Sequence, residues 1–142
     1  MKTKNTIKRI IDYFNHRDEV SVLYVFGSYG SLKETKESDI DIAVLIDETR
    51  LKKKNFATLK KDYYSASPTF SMRPVDIVIL NTAPSFLKHH ILKTGRVLYD
   101  KNRNLRIRFV TKTIIEYLDY KPVEDICLKA IANRFRRRAI GR

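Results

Sequence analysis

Two short apolar runs, Val20 to Phe26 (VSVLYVF) and Ile40 to Ile46 (IDIAVLI), stand on either side of a polar, turn-forming stretch that opens on Gly27-Ser28. Both are rich in β-branched and aromatic residues and too short for helices, so each predicts a buried strand. Gly27 stops the first. At the start of the second, side chains two apart share a face, which sets Asp39 beside Asp41 while Ile40 and Ile42 face away. Two unit negative charges ~4 Å apart repel by roughly 1 kcal/mol in water and by more near a protein surface. A cation or a shared proton must offset that repulsion, and a hard divalent cation with oxygen ligands, Mg²⁺, suits the arrangement.

The ten residues between Ser28 and Asp39 are long enough for a short helix or loop that brings the two strand ends together. Gly27 permits close backbone approach, and the Ser after it offers an N–H and a hydroxyl to a phosphate. Taken singly, each feature is ordinary: Gly-Ser is most often a turn, and Asp-x-Asp a solvated strand end. Their combination at this spacing points to a site. A third acid, Asp76, interrupts the apolar segment Pro74 to Leu80 (PVDIVIL), where a lone carboxylate is costly to bury without a partner. If that strand lies beside the Asp39/Asp41 strand, three carboxylates converge; otherwise Asp76 is an edge residue facing water.

Gly27-Ser28, ten residues, Asp39-Ile40-Asp41 and the later Asp76 resemble the active-site signature of the nucleotidyltransferase superfamily that includes DNA polymerase beta and kanamycin nucleotidyltransferase. The small size, the segment Val75 to Asp100 and the helical tail are similar to the minimal nucleotidyltransferases (MNT) of MNT–HEPN toxin–antitoxin pairs. The resemblance implies an α/β (α+β) chain with the polymerase beta-like fold, a small mixed sheet flanked by helices. It divides the chain into a nucleotidyltransferase core, 1–100, and a helical C-terminal extension, 101–142, packed on the same domain or on a partner. It also implies two Mg²⁺ ions held by Asp39, Asp41 and Asp76, with Gly27 and Ser28 binding the nucleotide, ATP. The implied reaction is transfer of AMP to a tyrosine of a HEPN RNase toxin, which silences it. Many members carry Arg-Gly a few residues beyond Gly-Ser, where this chain has Ser31-Leu32; Lys33 and Lys36 remain as the loop's cationic candidates. Other readings are a contact-only antitoxin or RNA-binding module, and a small-molecule nucleotidyltransferase of the aminoglycoside type, for which the short chain leaves little material to build a substrate pocket.

The remainder of the chain fits one globular domain of 142 residues with 43% hydrophobic and 32% charged residues. Its net charge of +13 favours acidic partners, whether nucleotides, nucleic acid or an acidic protein. A single cysteine, Cys127, rules out an internal disulfide and suits a reducing compartment. No run approaches the ~20 apolar residues of a membrane span, so a soluble, cytoplasmic protein is expected. Ile7, Ile10, Ile11 and Phe14 recur at helical spacing and predict an amphipathic first helix rather than a signal peptide.

Glu48 to Tyr64 reads as a helix with Leu51, Phe56, Leu59 and Tyr63 turned to the sheet, ended by Ser65-Ala66-Ser67-Pro68; its lysines form a solvated face. A helix over Pro84 to Lys93, stopped by Gly95, leads into a short strand, Val97 to Tyr99. His89 and His90 have no cysteine or acid at ligand spacing and read as surface residues. Tyr24 and Tyr99 read as packing residues, whereas Tyr29 lies inside the glycine–aspartate loop. From Asn102 onward the pattern is helical, with Pro122 expected to separate two segments. Val123, Ile126, Cys127, Ala130 and Ile131 form an apolar stripe able to cover the sheet or dock a partner. The arginine-rich end (Arg134, Arg136, Arg137, Arg138, Arg142) reads as solubilising, with contact to RNA or an acidic surface as the alternative.

Overall fold

A computed structural model describes residues 2–27 and 39–140. Helix α1 (Lys2–Asn15) precedes strands β1 (Val20–Phe26) and β2 (Ile40–Ile46). Helix α2 (Phe56–Phe70), strand β3 (Val75–Ile79), helix α3 (Ser85–Thr94), strand β4 (Arg96–Asp100) and the long helix α4 (Arg103–Ile140) follow. The four strands form one mixed sheet in the order β3-β2-β1-β4. Both neighbours of β1 are antiparallel to it, and β3 runs parallel to β2.

Helices cover both faces of the sheet. On one side Ile7, Ile10 and Phe14 of α1 and Leu59, Tyr63 and Phe70 of α2 pack on Leu23, Val25, Ile40, Ile42 and Ile77. The other side is smaller: Val22, Tyr24, Ala43 and Leu45 meet Ile91 of α3, with Leu105 and Phe109 of α4 beside them. Alternation sends Leu23 and Val25 of β1 to one face and Val22 and Tyr24 to the other, and the register of the strand shifts once, between Val20 and Val22. Where aromatic side chains enter the core, their hydroxyls are mostly satisfied. Tyr63 donates to Glu19 Oε1 at 2.9 Å and Tyr99 to the Phe14 carbonyl at 2.8 Å. Among the described residues, the buried Tyr24 hydroxyl finds no hydrogen-bond partner.

Two expectations need correction. The helix placed over Glu48 to Tyr64 starts instead at Phe56, after a single 3₁₀ turn at Glu48–Arg50, because Asn55 caps it by accepting from the Thr58 N–H at 2.8 Å. It also continues through Pro68 to the buried Phe70. Proline cannot donate to the Tyr64 carbonyl, but the Ser67 hydroxyl does so at 2.8 Å, so the helix survives the missing N–H. Pro122 likewise fails to divide α4, which runs through it. Only one backbone donor is lost there, on a fully exposed stretch where water can serve the freed carbonyl. Of the two roles open to the stripe containing Val123, Ile126 and Ile131, covering the sheet is not the one it takes; these side chains are 55%, 67% and 51% exposed, and Cys127 is exposed among them. No described helix is long and apolar enough to cross a membrane.

Candidate active site

The carboxylates meet at one end of the sheet, where β1 ends and β2 begins. Parallel pairing puts Asp41 of β2 opposite Asp76 of β3, in register with Ile40 opposite Val75 and Ile42 opposite Ile77. Neighbouring strands lie about 4.8 Å apart and paired residues point to the same face, so these two acids stand side by side. Asp39 precedes β2 by one residue and shares that face by alternation. Asp39 and Asp76 are exposed and Asp41 is half-buried, its neighbours Ile40 and Ile42 being fully buried on the opposite face. The alternation of IDID therefore anchors the strand through its isoleucines and leaves its aspartates at the surface.

Electrostatics follow from this placement. Burial, then the negative charge of Asp76, then that of Asp39, push the Asp41 carboxyl above its ordinary value. Among the described residues, no three or more His, Cys, Asp or Glu side chains are gathered tightly enough to hold a metal ion by themselves. Among the described residues the set is thus an open row of hard oxygen donors, with the charges of Asp76 and Asp39 bearing on Asp41 at its centre. That chemistry fits Mg²⁺, which accepts one or two protein carboxylates and fills its remaining positions with water or substrate phosphate.

Gly27 closes the row from the β1 side. Its φ of +74° lies in the left-handed region. A Cβ there would overlap Asp41 Oδ2 and come within 3.0 Å of Cγ, so glycine is what allows the turn to lie against the carboxylate. Ser28 and the loop positions Tyr29, Ser31, Leu32, Lys33 and Lys36 lie outside the described residues.

Sequence reasoning missed Tyr64. From α2 its hydroxyl reaches the open edge of β3, donating to Asp76 Oδ1 at 2.8 Å and accepting from the Ile77 N–H at 2.9 Å. Burial and the bond to Asp76 hold its phenol above the ordinary value, although the Ile77 N–H, which donates to the phenolic oxygen, acts against them. No local pattern signals this contact, which depends on how α2 crosses the sheet edge. His89 stacks on Tyr117, with ring centroids 3.6 Å apart, and His90 is exposed.

Comparison with known proteins identifies the family. Residues 8–104 match the family described as polymerase beta, nucleotidyltransferase. The chain belongs to the polymerase beta nucleotidyltransferase family. Within it, this nucleotidyltransferase is 32% identical over 99 residues to the protein adenylyltransferase MntA of Shewanella oneidensis, covering 70% of this chain and 67% of that one. A crystal structure of the toxin–antitoxin MntA–HepT superposes with a TM-score of 0.67 at 20% identity, over 89% of this chain and 97% of that chain. A toxin–antitoxin structure with AMP-PNP gives 0.66 at 24% identity, over 89% and 98%. The structure of a tri-AMPylated S. oneidensis HEPN toxin in complex with MNT antitoxin gives 0.62 at 25% identity, over 93% and 99%.

Proposed function

We infer that this nucleotidyltransferase is an antitoxin that transfers AMP from ATP to a tyrosine of a HEPN RNase toxin. The observation that carries the reading is the in-register pair Asp41/Asp76, with Asp39 two residues upstream and Gly27 folded against Asp41. Adenylyl transfer forms a bond from the tyrosine oxygen to the α-phosphorus, breaks the bond to pyrophosphate and releases the phenolic proton. Asp39 and Asp41 would hold two Mg²⁺ ions between them, with Asp76 completing the set on the side of the attacking hydroxyl. Bound there, Mg²⁺ would supply positive charge that acidifies the incoming hydroxyl and offsets charge on the departing pyrophosphate. Gly27 lets the turn lie against the Asp41 carboxylate, Ser28 would anchor the outer phosphates, and Tyr64 fixes one oxygen of Asp76. The family membership supports the transfer chemistry; the protein adenylyltransferase relative and the AMPylated-toxin complex support a protein acceptor.

The test is intact-mass spectrometry of the purified HEPN protein after incubation with this chain, Mg²⁺ and ATP, beside the Asp39→Asn/Asp41→Asn variant. Mass steps of one AMP unit with the native chain only are expected. An unmodified toxin in a stable complex with folded enzyme would replace catalysis by neutralisation through contact.

A further inference from the structure

Among the described residues, helix α4 is anchored only along its first part. There Leu105 and Phe109 pack against the smaller core, Thr113 is buried and Tyr117 stacks on His89 of α3. Beyond it, from Leu118 to Arg138, every side chain except Glu124 is exposed, over about 30 Å of helix. Most helical stability in proteins comes from packing of an amphipathic face, and side chains such as Val123, Leu128, Ile131 and Phe135, each more than half exposed, form more apolar surface than a solvated helix ordinarily carries.

The inward face does not stop where α3 ends. It continues as Glu116, Tyr120, Val123, Cys127, Ile131, Arg134 and Arg138, at steps of four, three, four, four, three and four, which read the same in both directions. If two such helices lie antiparallel with Cys127 opposite Cys127, Val123 meets Ile131, Tyr120 meets Arg134 and Glu116 meets Arg138. Each apolar residue then faces an apolar one, each arginine an aromatic ring or an acid. Charge is largely segregated to match: Glu116, Asp119, Glu124 and Asp125, with one cation, Lys121, precede the centre, and Lys129, Arg134, Arg136, Arg137 and Arg138 follow it. A parallel pair would set arginine against arginine. We propose that the distal half of α4 is a self-complementary docking surface whose occupant is the same helix of a second copy, antiparallel and centred on Cys127. The partner helix would continue, end to end, the layer that α3 begins.

The experiment is sedimentation equilibrium of the full chain across a concentration series, paired with cross-linking by a short bismaleimide. The expected result is a species of twice the 16.7 kDa chain mass that is captured covalently through Cys127. Val123→Glu with Ile131→Glu should weaken association at least about tenfold while the circular dichroism of the sheet and the melting temperature of the core persist. In a Cys127→Ser background, Val123→Cys mixed with Ile131→Cys should cross-link with each other better than either with itself. A monomer at all concentrations would overturn the proposal. So would a dimer that ignores the glutamates, or a helix covered only when a different protein is added.

Discussion

Replacing Asp41 by asparagine should make the metal-free protein more stable at neutral pH, although it removes the central carboxylate of the site. Asn is isosteric, so the close approach of Gly27 is preserved and the perturbation is one of charge. Asp76 stands one strand spacing away and Asp39 shares the face. Two charges about 5 Å apart interact by about 1 kcal/mol at the dielectric of water and about 3 kcal/mol at an effective value of 20. Because Asp39 and Asp76 are exposed, the lower end applies to each, and relief of about 1–2 kcal/mol is expected. The corresponding rise in melting temperature is about 3–6 °C for a chain of this size. The folded-state value of Asp41 is raised, by burial, Asp76 and Asp39 in that order, so folding takes up protons and native stability falls as pH rises through the shifted value. The advantage of the Asn variant should therefore be full at pH 7 and shrink as the pH is lowered toward about 4, the range of an unfolded aspartate. Differential scanning calorimetry in EDTA from pH 7 to pH 4 measures it. A variant less stable than the native chain at pH 7, or a gain that grows on acidification, would refute the assignment of a repulsive carboxylate row.

Tyr64→Phe should lower stability by about 1–2 kcal/mol, since it removes a charge-assisted bond to Asp76 and leaves the Ile77 N–H to solvent, and it should weaken Mn²⁺ binding measured by electron paramagnetic resonance; unchanged binding would limit Tyr64 to a structural role. Gly27→Ala should cost about 1–3 kcal/mol, from left-handed strain and displacement of the Asp41 carboxylate, and a denaturation midpoint equal to the native one would contradict the contact. Pro68→Ala should gain about 1 kcal/mol in urea unfolding by restoring the backbone donor, whereas Ser67→Ala alone should lose a similar amount by stranding the Tyr64 carbonyl.

Period-two patterning with strong β-branching made β1, β2 and β3 readable from the chain alone, and the 3.6-residue recurrence of Ile7, Ile10 and Phe14 did the same for α1. Asp39 and Asp41 could be put on one face because alternation is a property of any strand. Their proximity to Asp76 could not, since a parallel pairing across 35 residues of sequence is fixed by packing and not by local preference. Pro68 and Pro122 misled for the opposite reason: a local rule against proline was overridden, at Pro68 by a neighbouring serine hydroxyl and at Pro122 by free access of water. What the sequence by itself determined is the strands, the first helix and the two-residue spacing of the aspartates, because these follow from short-range backbone geometry. Only the tertiary structure decided that Asp76 and Tyr64 join them and that the apolar stripe of α4 is left bare, because contacts between distant segments depend on how whole layers pack.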